Sequence, residues 1–301
     1  MKAPWVMHRA LIVALAACGH SNPAPAPAPT QADFDTAYNA GKFDDCARIA
    51  KQAAATPGPK QSTWLYNEAC CEARGAKPDA AFASFDRALA AGLHDRSQLE
   101  KDEDLASLHT DARWQPFLDK VAAADANILA SIAEPKLREE LHALVDVDQK
   151  ARFAAIAAKD DHALAEKVDE SDRHSTQRMH EIIAQYGWPG KKLVGDDGAH
   201  DAWLLVQHAD KDPAFQKQCL ALMRAVVRAG EVAPIDVAYL EDRVAVADKR
   251  PQTYGTQFGP DGQPQPMIDP DHIDERRAAV GLGTMAAYRE QMRKMYGSSI
   301  K

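Results

Sequence analysis

The sequence predicts a mainly α protein, built of helical hairpins followed by an all-helical domain that carries one small β-hairpin. Three observations predict it. The N-terminal region is similar to itself at an offset of 34 residues, apolar residues farther on recur at the helical spacing of 3.6, and one Pro260-Asp261-Gly262 corner separates two strand-like runs. The 301 residues, 46% apolar and 7% aromatic, suffice for about two domains whose cores rest on Ala-rich helices more than on rings. A net charge of -8 excludes the basic footprint that nucleic-acid binding needs.

Residues Met1 to Arg9 carry Lys2 and Arg9 and no acid, and Ala10 to Ala17 are apolar without a break. A positive segment before so short an apolar run predicts a signal peptide, residues 1–17, because a membrane-spanning helix needs about 20 apolar residues. Leu15-Ala16-Ala17-Cys18 resembles the lipobox of bacterial lipoproteins, which implies lipidation at Cys18 and an anchor in the cell envelope, facing the periplasm or on the outer membrane. Removing Lys2 and Arg9 makes the chain more acidic still, so acyl chains and not basic residues would hold it to the membrane. Residues 18–31 follow, with Pro and Ala alternating from Pro23 to Pro29. That composition extends as polyproline II, cannot pack a core, and reads as a tether.

Residues 32–124 hold the repeat. The 34-residue shift lays Gly41 on Gly75, Asp45 on Asp79, Ala47 on Ala81 and Ala54 on Ala88, with the glycines where one helix turns into the next. The unit from Trp64 to Gly92 resembles a tetratricopeptide repeat, and Leu99 to Leu118 resembles the segment that closes such repeats as a cap. The resemblance implies a concave surface for a protein or peptide partner; the plainer expectation is a packing module that positions the next domain. In an oxidising compartment Cys46, Cys70 and Cys71 are disulfide candidates, with Cys46 joined to Cys70 or Cys71. Adjacent helical residues point about 100° apart, so only one of those two faces Cys46 well. No metal-ligand spacing is present, and neither a metal nor a cofactor is expected.

Residues 134–297 form the C-terminal domain. Leu137, Leu141, Leu144 and Val145 mark the apolar face of a helix from about Pro135 to Ala158, and the stripe runs on into Asp148. A carboxylate on a core-facing stripe needs a partner. Similar intrusions recur: Gln207 and His208 follow the apolar Trp203 to Val206, and Asp242 with Arg243 fall within the apolar band of a helix from about Pro234 to Ala247. The strand-like run Gln252 to Phe258, the corner at residues 259–262 and a return toward Ile268 predict the hairpin, with Gly255 suggesting close backbone approach by a ligand. Asp269-Pro270 fits the start of a helix bearing Arg276 and Arg277, and another helix follows Thr284. His162, His174 and His180 lie among charges and read as solvated.

The motifs Gly187-Trp188-Pro189, Gln207-His208-Ala209, Tyr239-Leu240-x-Asp242-Arg243, Gln252-x-Tyr254-Gly255-Thr256-Gln257 and Arg276-Arg277 together resemble a bacterial family known as domain of unknown function 6624. The resemblance implies a largely helical unit and carries no activity with it. Two readings of the polar residues follow. In one, Asp148, Gln207, His208, Asp242, Arg243, Tyr254, Gln257, Arg276 and Arg277 converge on a cleft. His208 and Asp242 would then be catalytic and the rest would bind a small anionic ligand, as in hydrolysis or group transfer on an anionic envelope or peptide substrate. In the other, the same groups pair with one another and pin the hairpin to the helices of a binding or scaffolding module.

Overall fold

The computed structural model describes residues 31–296 apart from 56, 57, 59, 60, 159, 160 and 260. The expected signal peptide, Cys18 and all but the last residue of the expected tether lie outside the described residues, as does Pro260. The fold is mainly α. Helices α1 (Gln31–Asn39), α2 (Phe43–Ala54), α3 (Gln61–Arg74) and α4 (Pro78–Ala90) pack each on the next. Gly41 and Gly75 stand in the turns after α1 and α3. A small core of Phe34, Ile49, Cys46 and Cys71 lies between α1, α2 and α3, and Cys46 is joined to Cys71 by a disulfide.

The next segment closes over α3. Asp95 caps α5 (Arg96–Lys101) by accepting the Gln98 amide, and a 3-10 turn, Glu103–Leu108, follows against α3. Leu99, Leu105, Leu108, Phe117 and Leu118 are buried with Phe82 and Phe85 of α4, and the rings of Phe85 and Phe117 stack 4.9 Å apart. Helix α6 (Trp114–Ser131) buries its first half in this core. Its second half continues past residue 124, where the sequence suggested a boundary, and Asp125 there pairs with Arg138 at 2.8 Å. Helix α6 therefore runs from the first core to an ion pair with α7, which starts after a short break at residues 132–134.

That second core gathers Leu137 and Leu141 of α7 (Pro135–Ala158), Met179 and Ile182 of α8 (His162–Tyr186), and Trp203 and Leu205 of α9 (Lys191–Gln207). Phe215 and Leu220 of α10 (Pro213–Val226) and Leu240 of α11 (Pro234–Ala247) complete it. Proline opens α7, α10 and α11, where its missing N–H would lack an intrahelical partner anyway; Asp212 caps α10 through the Phe215 amide. Helix α9 is broken at Gly195, with φ 82°. Among the described residues no helix is long and apolar enough to cross a membrane.

After α11 the expected β-hairpin becomes a chain reversal held by two isolated bridges, Gln252 with Met267 and Phe258 with Pro264. Two causes explain the missing ladder. Pro251, Pro264 and Pro266 supply no N–H, and the amides of Thr253, Tyr254 and Thr256 donate to the Asp242 side chain instead. Gln252, fully buried, ties the two arms: its Nε2 donates to the carbonyls of Gln257 and Gln265, and its Oε1 accepts the Gln257 amide. Asp269 takes the expected N-cap position, with Pro270 opening a 3-10 turn (Pro270–His272), but its side chain caps no amide. It adopts φ 42° and turns its carboxylate to His272 Nδ1, 2.9 Å away. Helices α12 (Ile273–Ala279) and α13 (Met285–Tyr296) close the chain, with Ile273, Met285 and Tyr288 packed on Phe258 and Met267.

Candidate functional site

The nine candidate residues fall into three sets of contacts and one isolated side chain. The first set centres on Asp148, only 1% exposed, on α7. Its Oδ2 lies 3.0 Å from His208 Nδ1 at the C-terminal end of α9, and its two oxygens accept Arg152 Nε at 3.1 and 3.2 Å. Arg152 reaches onward to Asp172 of α8. Arg152 Nε donates to His208 Nδ1 at 3.0 Å, and the same ring nitrogen faces an Asp148 oxygen, so Nδ1 has a donor on one side and an acceptor on the other.

The electrostatics divide the two acids. Burial by itself raises the Asp148 carboxyl, but hydrogen bonding and charge from His208, with Arg152 and Gln149, outweigh it and hold the group below the usual carboxylate range. Asp172 goes the other way, pushed up by burial. Oxygens of Asp148 and Asp172 and a ring nitrogen of His208 lie within 4.8 Å of one another, a spacing that a divalent cation can bridge. Arg152 already spans that group and pairs with both acids, its single positive charge offsetting one of the two carboxylates.

The second set is the pair Arg243–Asp210, with Arg243 Nη1 2.6 and 2.7 Å from the two carboxylate oxygens. Gln207 is the isolated member: it is buried, and its Oε1 finds no hydrogen-bond partner. The third set is the loop after α11. Asp242, 0% exposed, accepts the amides of Thr253, Tyr254 and Thr256 and the Thr256 hydroxyl. Burial still pushes its carboxyl up. Arg277, 1% exposed, donates to the Tyr254 and Gly283 carbonyls and lies over the Tyr288 ring, while Arg276 donates to the carbonyls of Thr253, Ile268 and Asp269. Gln257 Nε2 donates to the Thr256 hydroxyl.

The expected single cleft is therefore not what these contacts describe. Asp242, Arg276 and Arg277 direct most of their hydrogen bonds to backbone groups of the irregular loop after α11, which lacks a ladder of its own. The close approach expected at Gly255 comes from inside the chain. With φ 70°, this residue would set a Cβ 2.8 Å from Met267 Sδ and 3.0 Å from Met285 Sδ. His180 is not simply solvated either, since it stacks on Phe215 at 3.8 Å and pairs with Asp212.

Sequence reasoning missed Arg152, Asp172 and Asp210. Arg152 had a signal, four residues after Asp148 on the same helix; Asp172 and Asp210 had none. It also missed a hub at Asp197, which accepts from His94, Arg138 and His142 and so joins the segment after α4 to α7 and α9. A third feature is an open groove of about 860 Å³ between α7 and α8, lined by Leu144, Val147, Ala154 and Leu164 among others.

Helical packing and a web of internally paired charges define a mainly α protein with a polar network beside its second core. Residues 135–301 match a family described as a family of unknown function, DUF6624, and the chain belongs to that family. No curated protein and no solved structure matches the chain.

Proposed function

We propose that this chain is a lipid-anchored cell-envelope module that binds or scaffolds, with a tetratricopeptide-like N-terminal part. The mutual pairing of the polar residues carries the reading: Asp148, Asp210, Asp242, Arg152, Arg243, Arg276 and Arg277 each have partners within the chain. The lipobox-like Cys18 and the Pro/Ala run support the anchor and the tether. Partner capture by a groove of the repeat loses support, because Leu99 to Leu118 packs over α3 and α4. Binding is better sought on the C-terminal domain.

A second reading, a hydrolase or transferase on an anionic envelope or peptide substrate, is favoured by one observation. A buried carboxylate lies against His208 Nδ1, the pairing found in an Asp–His dyad, in which the other ring nitrogen would serve as the base. A thermal-shift screen of the chain against anionic metabolites, peptidoglycan fragments and divalent metals separates the two. A ligand whose stabilisation disappears in His208→Ala and Arg243→Ala, with both variants folded, supports the second reading; stabilisation that both variants keep supports the first.

A further inference from the structure

Helices α9 and α11 lie side by side in one register. His200 Nδ1 meets Asp236 Oδ2 at 3.2 Å, and one turn on the rings of Trp203 and Tyr239 stand 5.8 Å apart. The next turn of each helix sets Gln207 opposite Arg243 at the same offset, on the faces that those two pairs define. Shared contacts place them together as well. Gln216 Nε2 donates to the Gln207 carbonyl and to Asp210 Oδ1, and that carboxylate holds Arg243 Nη1 at 2.6 and 2.7 Å. On this seam three side-chain polar atoms are buried without a hydrogen-bond partner in the chain: Trp203 Nε1, Gln207 Oε1 and Arg243 Nε. Trp203 is 8% exposed and Gln207 4%.

Buried polar atoms are nearly always paired, because each one left bare forfeits its bonds to water. Three on one seam point to a group that belongs there, and their chemistry describes it. The indole N–H and the guanidinium Nε–H only donate, and the amide oxygen of Gln207 only accepts. A carboxylate or phosphate would suit the two donors and repel the oxygen. Charge gives the same answer, since Asp210 already offsets Arg243. What satisfies all three is a neutral group with both an acceptor and a donor. Trp203 and Gln207 stand one turn, about 6 Å, apart along α9, so acceptor and donor fit better on separate atoms, as in a carboxamide, than on one hydroxyl oxygen. Asp210 is exposed and Arg243 partly so, which puts their ion pair at the outer edge of the seam, where a small molecule enters.

We propose that the seam between α9 and α11 binds the carboxamide group of a small neutral ligand, whose oxygen accepts from Trp203 Nε1 and Arg243 Nε and whose nitrogen donates to Gln207 Oε1. The site goes beyond both readings above, since it takes a neutral group where the second takes an anion, and it uses neither His208 nor Asp148. Indole N–H resonances of the isotope-labelled full chain test it, with the Trp203 signal assigned through Trp203→Phe. Acetamide is the probe, compared with acetate and N,N-dimethylacetamide, which accept but cannot donate, and with ethylene glycol. The expected result is a saturable shift of the Trp203 signal by acetamide, with each of the other three at least about tenfold weaker. Arg243→Lys keeps a cation for Asp210 but removes the Nε–H, and Gln207→Leu removes the acceptor. Each should weaken acetamide binding at least about tenfold without loss of helical circular dichroism. A Trp203 signal that acetamide leaves in place, as a buried water only would give, overturns the proposal. So does one that any comparison compound moves as readily as acetamide, or acetamide binding that both variants keep.

Discussion

Asp242 Oδ2 lies 2.9 Å from the amide nitrogen of Thr256, fourteen residues on, and the same carboxylate takes the amides of Thr253 and Tyr254. A helix side chain here does what a neighbouring strand would do for the loop. Three donors that a ladder would have paired are gathered on one buried acid. The loop's shape depends on α11, and Asp242 has a structural duty independent of any ligand.

Asp242→Asn keeps the size of the side chain but replaces one acceptor oxygen by a donor that faces N–H groups. Losing charge-assisted bonds and leaving buried amides unpaired should lower stability by about 2 to 4 kcal/mol. Urea unfolding measures this. A variant as stable as the parent would mean that the amides find other acceptors and that the carboxylate serves something else.

Arg152 is the common partner of Asp148 and Asp172. Arg152→Ala leaves a buried carboxylate with only His208 and Gln149, so a loss of about 2 to 4 kcal/mol is expected. Adding Asp172→Asn should recover part of it, since the second acid then needs no counter-charge. A double-mutant cycle gives the coupling directly, and additivity between the two changes would show that the bridge contributes nothing.

The pH dependence should carry the mark of His142. Hydrogen bonds to Asp197 and then Asp201 raise this imidazole from 6.5 to about 10, and His94 is raised by the same Asp197. A raised value means that the protonated ring favours the fold. The stabilisation from His142 is full below 6.5 and is lost as the pH rises through about 10. Melting temperatures across that window should fall less steeply in His142→Gln than in the parent. Equal slopes would place the charge elsewhere.

Much of the helical frame is legible in the sequence. Proline at the first helical position and 3.6-residue apolar stripes mark α7 and α11, and the intrusion of Asp148 into such a stripe points to a buried partner. The partners themselves are harder to read. Asp172 meets Arg152 from another helix, twenty residues away, and Asp242 meets backbone amides, which have no sequence signature at all. The strand-like alternation of residues 252–258 suits an irregular loop equally well once a side chain supplies the acceptors. Whether Cys46 joins Cys70 or Cys71 is likewise open from spacing alone; in the fold Cys71 shares the small core of Cys46, while Cys70 turns toward Asp102.

That division of the adjacent cysteines sets the last prediction. Cys46 and Cys71 are 25 residues apart, and the bridge constrains the unfolded chain across α2 and α3, so Cys46→Ser should cost about 2 to 4 kcal/mol. Cys70 should behave oppositely to a reactive thiol. It is buried, lies 3.8 Å from Asp102 Oδ2, and is pushed well up by burial and by the charges of Asp102 and Asp104, which disfavour the thiolate that alkylating reagents attack. Mass spectrometry after alkylation of the native chain should find Cys70 unmodified. After unfolding without reductant it should be modified, and Cys46 and Cys71 should react only once reduced. Rapid native labelling of Cys70 would mean that α3 opens there or that the bridge exchanges between the neighbours, and peptide mapping of the disulfide would tell which.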